Sequence, residues 1–185
     1  MSKILDEQRR PTLEADRVVA AARAWVGTPY RHQASLMGAG ADCLGVVRGV
    51  WRELIGPEPE ALAPYARTWA EDGGAEMLLS AARRRLVELP PDEIAPGDVL
   101  LFRVRRDGPA RHAGVATGAA AMVHAYDGHA VAETAIPDVW RRRLVARFRF
   151  PAAGPRAEVR ASRRAYGAPR TMRGPEARSS RTSSC

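Results

Sequence analysis

The apolar positions of this chain change their spacing near residue 86. Before it they recur at helical intervals. Val18, Val19, Ala22, Trp25 and Val26 form one stripe, so the spacing predicts a helix from Leu13 to about Val26, with Thr12 placed to cap it and Gly27 to end it. Thr28-Pro29-Tyr30 is extended or turning, because Pro29 disfavours helix at Thr28. Residues 31–41 read as a loop. A second stripe, Leu44, Val47, Trp51, Leu54 and Ile55, follows Cys43 and is stopped by Gly56-Pro57. Residues 56–71, with Tyr65 and Trp69, read as an excursion. A third helix is expected from Gly73 to about Leu86, on Met77, Leu78, Ala81, Ala82 and Leu86.

Beyond the loop bracketed by Pro90-Pro91 and Pro96-Gly97, the runs become short. Val99 to Val104 is nearly continuous and apolar, as a buried strand would be. Asp107-Gly108-Pro109 is a turn. Ala113–Thr117, Ala121–Tyr126 and Ala130–Thr134 read as strands, with a break at Gly118 and a two-residue hairpin signal at Asp127-Gly128. Leu144 to Phe150 closes the series. Helices followed by an antiparallel meander make an α+β fold. There is no internal repeat.

Charge changes this picture only at the end of the chain. The net charge is +8, and residues 155–185 hold eight Arg and two Glu, leaving about +2 for the rest. That tail, nearly without apolar residues, is expected to be disordered. The expected division is therefore an arm over 1–11, a domain over 12–151 and a basic tail over 152–185. No basic strand studded with aromatics and no helix-turn-helix pattern accompanies the charge, which argues against a nucleic-acid function for the body. No run reaches the length of a membrane span, and the polar start lacks the apolar segment of a secretory signal. With two cysteines, Cys43 and the terminal Cys185, a disulfide framework is not expected.

Candidate chemistry centres on Cys43. Asp42 is a good N-cap, so Cys43 falls in the first turn of its helix. Orphan N–H groups and the positive dipole end there favour a thiolate, whereas the Asp42 charge opposes one. A buried cysteine is also an ordinary small hydrophobe. His112 and His124 lie on neighbouring predicted strands. A turn centred on Gly118 would set them directly opposite each other and on one face. A nucleophile, base and orienter, Cys43, His112 and His124, would then be assembled. Each strand histidine taken alone is more often structural. His129 is expected to be exposed beside its turn, and His32 precedes the nucleophile with no assigned role. No closely spaced ligand set suggests zinc or another metal.

These residues carry a resemblance. Gly27-Thr28-Pro29-Tyr30, Asp42-Cys43-x-Gly45, Pro96-Gly97-Asp98, His112-Ala113-Gly114-Val115 and Val123-His124-Ala125 resemble, in order, the motifs of the NlpC-type cysteine peptidases, across about residues 12–150. The likeness is greatest to the branch found in tails of phages and gene transfer agents. The resemblance implies a papain-like core, with Cys43 as nucleophile, His112 as base and His124 as third member. It implies that the Tyr30 hydroxyl lies near the nucleophile and that Asp42 meets a free substrate amine. It implies hydrolysis of peptidoglycan stem peptides at the D-γ-glutamyl–diamino acid bond, with no cofactor. It further implies phage-like tail proteins as partners and delivery on a particle to the periplasmic cell wall. An amidase or acyltransferase on the same fold and a non-catalytic tail component are the alternatives. Two departures bear on the substrate groove: Arg31-His32-Gln33 stands where the family has Trp-Gly-Gly, and Leu44 where it has serine.

Overall fold

The computed structural model describes residues 12–59, 76–90 and 92–152. The expected arm, most of the excursion with Tyr65 and Trp69, and the basic tail with Cys185 lie outside the described residues. So do residues 73–75 of the third expected helix.

The elements are α1 (Ala15–Arg23), β1 (Ser35–Leu36), β2 (Gly40–Ala41), α2 (Cys43–Leu54), α3 (Met77–Arg85), β3 (Val87–Leu89), β4 (Val99–Arg103), β5 (Ala110–Gly118), β6 (Ala121–His124), β7 (Ala132–Ala135), α4 (Asp138–Arg141) and β8 (Leu144–Arg149). The six long-range strands form one antiparallel sheet, ordered β3-β8-β4-β5-β6-β7. β1 and β2 make a separate small hairpin inside the expected 31–41 loop.

Alternation along the strands splits the sheet into two faces. One carries Val99, Leu101, Ala113, Val115 and Phe148, and α1, α2 and α3 cover it with Val18, Trp25, Val46, Val50 and Leu79. The other carries Leu100, Phe102, Ala116 and Met122, under a smaller cover that includes Ile94, Ile136 and Trp140. The Pro96-Gly97-Asp98 turn is fastened from below. Asp98 is fully buried; one oxygen accepts from Ala95 N–H and Arg147, both at 2.9 Å, and the other lies 3.2 Å from Arg149. The two ends of the domain meet: Thr12 bridges to Pro151, and Leu13 N–H donates to Phe150 O at 3.0 Å.

Two expectations about the meander need correcting. The β5–β6 turn is Ala119-Ala120, with Gly118 paired to Ala121 as a strand residue, and a bulge shifts the register between Ala116 and Gly118. Val115 then pairs with Val123 and Ala116 with Met122. His112 and His124 are therefore two residues out of direct opposition. A slip of two keeps both on one face, where a slip of one would have parted them. The Asp127-Gly128 signal is a real turn but not a two-residue hairpin. Gly128 has φ +80° while Asp127 keeps a negative φ, and a hairpin turn of type I′ needs both positive. The strands part after His124, and the loop leans on the start of the domain: Gly27 N–H donates to Val131 O and Val131 N–H to Thr28 O, both at 2.8 Å.

Candidate active site

The nucleophile candidate is placed by its cap. Asp42 is the N-cap of α2, and its Oδ1 accepts from Gly45 N–H at 2.8 Å. Its Oδ2 accepts from Gln33 N–H at 2.7 Å and lies 3.7 Å from His32 Nδ1. The carboxylate is buried, so one side chain ties the helix start to the preceding loop. Gly45 is where that loop presses on the helix: a Cβ there would lie 2.0 Å from Ala34 O, and Ser35 Oγ donates to Gly45 O at 2.5 Å. Only a glycine admits this approach. Cys43 is half-buried at the first helical position.

The thiol does not behave as the helix start alone would suggest. Burial first, and the Asp42 charge second, push Cys43 up to about 12, against backbone N–H groups of Ala113, Leu44 and Cys43 that pull it down. His112 is 5% exposed, and burial, with His124 next to it, pushes it down to about 3. Both shifts favour the uncharged forms, so the pair rests as thiol and neutral imidazole.

The two histidines meet diagonally. Nε2 of His112 lies 2.9 Å from Nδ1 of His124, with the rings nearly perpendicular. Nε2 of His124 in turn lies 2.9 Å from Thr134 Oγ1 on β7. An aromatic wall closes around them. Trp140 has its ring centre 4.8 Å from that of His112, Phe102 sits edge-on to Trp140 at 5.0 Å, and Tyr126 is 6.0 Å from His112. That wall is the burial that keeps His112 neutral.

The structure brings every sequence-derived site residue into one place. Tyr30, Asp42, Cys43 and His112 line a single open cleft of about 230 Å³, and His124 stands behind His112. His32, Arg111 and Asp127 complete its polar lining, with Ala125 and Tyr126 from the parted β6–β7 loop. His129 is exposed, as expected, 3.2 Å from the carbonyl of Asp127 in its own turn. Sequence reading missed Trp140 and the part played by Thr134. The available signal was a tryptophan directly before the charged run Arg141-Arg142-Arg143. Among the described residues no group of His, Cys, Asp and Glu could hold a metal ion.

Comparison with known proteins bears directly on this arrangement. A model of the NlpC/P60 family matches residues 27–149, which contain the cleft, both histidines and Cys43. The chain belongs to the NlpC/P60 family. Its fold is similar to the NlpC/p60 domain of the peptidoglycan hydrolase SagA (19% identity, TM-score 0.50, covering 74% of this chain and 98% of that one). It is also similar to an NlpC/P60 family protein from Bacillus cereus (16%, 0.53, covering 78% and 43%). A third likeness is to a lipoprotein-like NLP/P60 family protein from Staphylococcus aureus (15%, 0.52, covering 77% and 44%). The chain thus spans nearly all of the first structure and under half of the other two. These likenesses establish the α+β, papain-like NlpC/P60 fold. No curated protein matches the chain.

Within that family the departure at Arg31-His32-Gln33 acquires a physical meaning. Gln33 has φ +64°, alone among the described non-glycine residues in having a positive φ. The family resemblance puts a glycine at this position. Here the Asp42 carboxylate, accepting the Gln33 N–H, helps hold a residue that pays the left-handed penalty.

Proposed function

We infer that this NlpC/P60 domain is a cysteine peptidase that hydrolyses peptidoglycan stem peptides. The observation that carries the reading is the shared cleft of Cys43 and His112, with the His112 Nε2 already engaged by His124. The ring nitrogen left for the thiol is Nδ1. Because the pair rests uncharged, proton transfer accompanies attack. His112 Nδ1 takes the thiol proton as sulfur bonds to the substrate carbonyl, and the resulting imidazolium donates that proton to the leaving amine. Water then adds to the acyl-enzyme with the same base and frees the thiol. Backbone N–H groups at the start of α2, with Tyr30 at the cleft edge, stabilise the oxyanion. No step calls for a metal or cofactor.

The bond we assign is the D-γ-glutamyl–diamino acid link. Asp42 supports it by its place: the carboxylate lines the cleft beside Cys43, where the free amine of a trimmed stem would meet it. The unit is taken as residues 12–151, carried by a phage-like tail or gene transfer agent and acting on the periplasmic wall. The tail partners rest on motif resemblance. Among the described residues no helix is long and apolar enough to cross a membrane.

Digestion of purified sacculi, with products read by mass spectrometry, tests the reading. Wild type should release fragments cut inside the stem, and Cys43→Ala should release none while keeping its fold. A stem severed from muramic acid as the sole product would identify an amidase, and no product from folded protein would leave a structural component. Free-amine stem fragments should be cut faster than acetylated ones, and Asp42→Asn should narrow that gap.

A further inference from the structure

The hydrogen-bonded chain at the site does not stop at the second histidine. It runs across three consecutive strands, from His112 on β5 to His124 on β6 and on to Thr134 on β7, with 2.9 Å at each link. The registers explain the geometry. Thr134 pairs with Met122, two residues from His124, just as His124 is offset from His112. All three side chains share one face and step diagonally across it.

This chain can hold its protons in two senses. In one, Thr134 donates to His124 Nε2, His124 Nδ1–H donates to His112 Nε2, and His112 carries its proton on Nδ1. That sense leaves no acceptor for a thiol proton. In the other, His112 Nε2–H donates to His124 Nδ1, His124 Nε2–H donates to Thr134 Oγ1, and His112 Nδ1 is a free acceptor. Only the second sense lets His112 act as base. A threonine hydroxyl can accept from His124 and still donate elsewhere. Thr134 is exposed, so its own proton has water to go to.

We propose that Thr134 is a positioning residue for the catalytic pair: its Oγ1 accepts from His124 Nε2–H and holds the His124 ring with Nδ1 turned toward His112. The inference rests on the peptidase reading of Cys43 and His112. It deepens that reading by extending the orienting group from one residue to two. Other neighbours do not duplicate the role. Glu133, beside Thr134, is engaged by Arg23 through two bonds of 2.8 and 2.9 Å, and Trp140 meets His124 only as a ring, at 6.4 Å.

The test compares three substitutions and one spectrum. Thr134→Val keeps the shape but sets a methyl group against Nε2 and denies it water. It should lower kcat about 3–10-fold with KM little changed, as loss of one hydrogen bond implies. Thr134→Ala opens the position to water and should lose less than Thr134→Val, and Thr134→Ser should restore the wild-type rate. A purely structural role would instead make the alanine variant at least as impaired as the valine one. Ring nitrogen NMR of the neutral protein should show His124 protonated on Nε2 and bare on Nδ1 in the wild type, with that pattern disturbed in Thr134→Val. A wild-type His124 protonated on Nδ1, a valine variant with wild-type kcat, or a serine variant that stays impaired would each overturn the proposal. If the wild type hydrolyses no stem peptide, the peptidase reading fails, and the nitrogen spectrum still decides the role of Thr134.

Discussion

Replacing Asp42 by Asn should make the protein less stable and its cysteine more reactive. The stability loss follows from the two acceptor bonds. Asn can still accept from Gly45 N–H through its carbonyl oxygen. Its amide group must then face the Gln33 N–H, now 2.7 Å from the second carboxylate oxygen, so donor meets donor in a buried place. Losing a charge-assisted bond of this kind costs about 2 kcal/mol. At roughly 2–4 °C per kcal/mol for a domain of this size, the melting temperature should fall by roughly 4–8 °C. The reactivity gain follows from charge. Asp42 is the second cause, after burial, of the raised Cys43 pKa, so removing its charge brings the thiol down from about 12. Each half unit by which the thiol falls makes thiolate about threefold more abundant at any pH below the pKa. Iodoacetamide labelling at pH 8 and well below the melting transition should therefore be faster in Asp42→Asn. The rate should be unchanged by low urea, which shows that labelling occurs in the folded state. Equal or slower labelling in folded Asp42→Asn would refute the claim that this carboxylate adds to burial in holding the thiol protonated.

Three further outcomes follow from the same geometry. His112 has its folded-state pKa pushed below the ordinary 6.5 to about 3, so the unfolded chain binds the proton first. Its contribution is fully present above pH 6.5 and is lost as pH falls toward 3, by up to about 1.4 kcal/mol per pH unit; urea melts at pH 7 and 5 should show a steeper loss in wild type than in His112→Gln. Gly45→Ala would normally strengthen a helix, but its methyl would meet Ala34 O at 2.0 Å, so calorimetry should show destabilisation, and hydrolysis should fall as the cap shifts. Gln33→Gly should leave the melting temperature unchanged or raise it slightly, because relief of the positive φ offsets the added freedom of the unfolded chain.

How far the sequence revealed this molecule depended on the kind of signal each element leaves. The stripe from Val18 to Val26, the one after Cys43 and the run from Val99 are long enough to name their elements, and the Cys43 helix and the central strand stand where they were expected. The first helix is shorter than expected, Ala15–Arg23, and is entered at Glu14 rather than capped by Thr12, which bridges to Pro151 instead. β3 spans three residues and α4 four, too short for any period to register. The meeting of His112 and His124 was legible because alternation fixes the face of a strand residue. Their offset was not, because a bulge beside Gly118 depends on how the whole sheet twists. The thiol's charge state was left open for a related reason. Local sequence shows the helix start and the Asp42 charge but cannot weigh burial, which depends on residues brought to the site from elsewhere in the chain, Ala125 and Tyr126 of the parted loop among them. Thr134 read as a strand residue and nothing more, since its partner lies ten positions away and its role exists only across strands.

The pairing of Thr12 with Pro151 makes the domain a loop closed at its base. Whatever precedes residue 12 and whatever follows residue 151 leave the domain from neighbouring points. A short linker could join those points and new ends be opened elsewhere, so circular permutation is open to this protein where it is closed to folds with distant ends. By the same token the unit can be spliced into a surface turn of a carrier protein without prying the carrier apart.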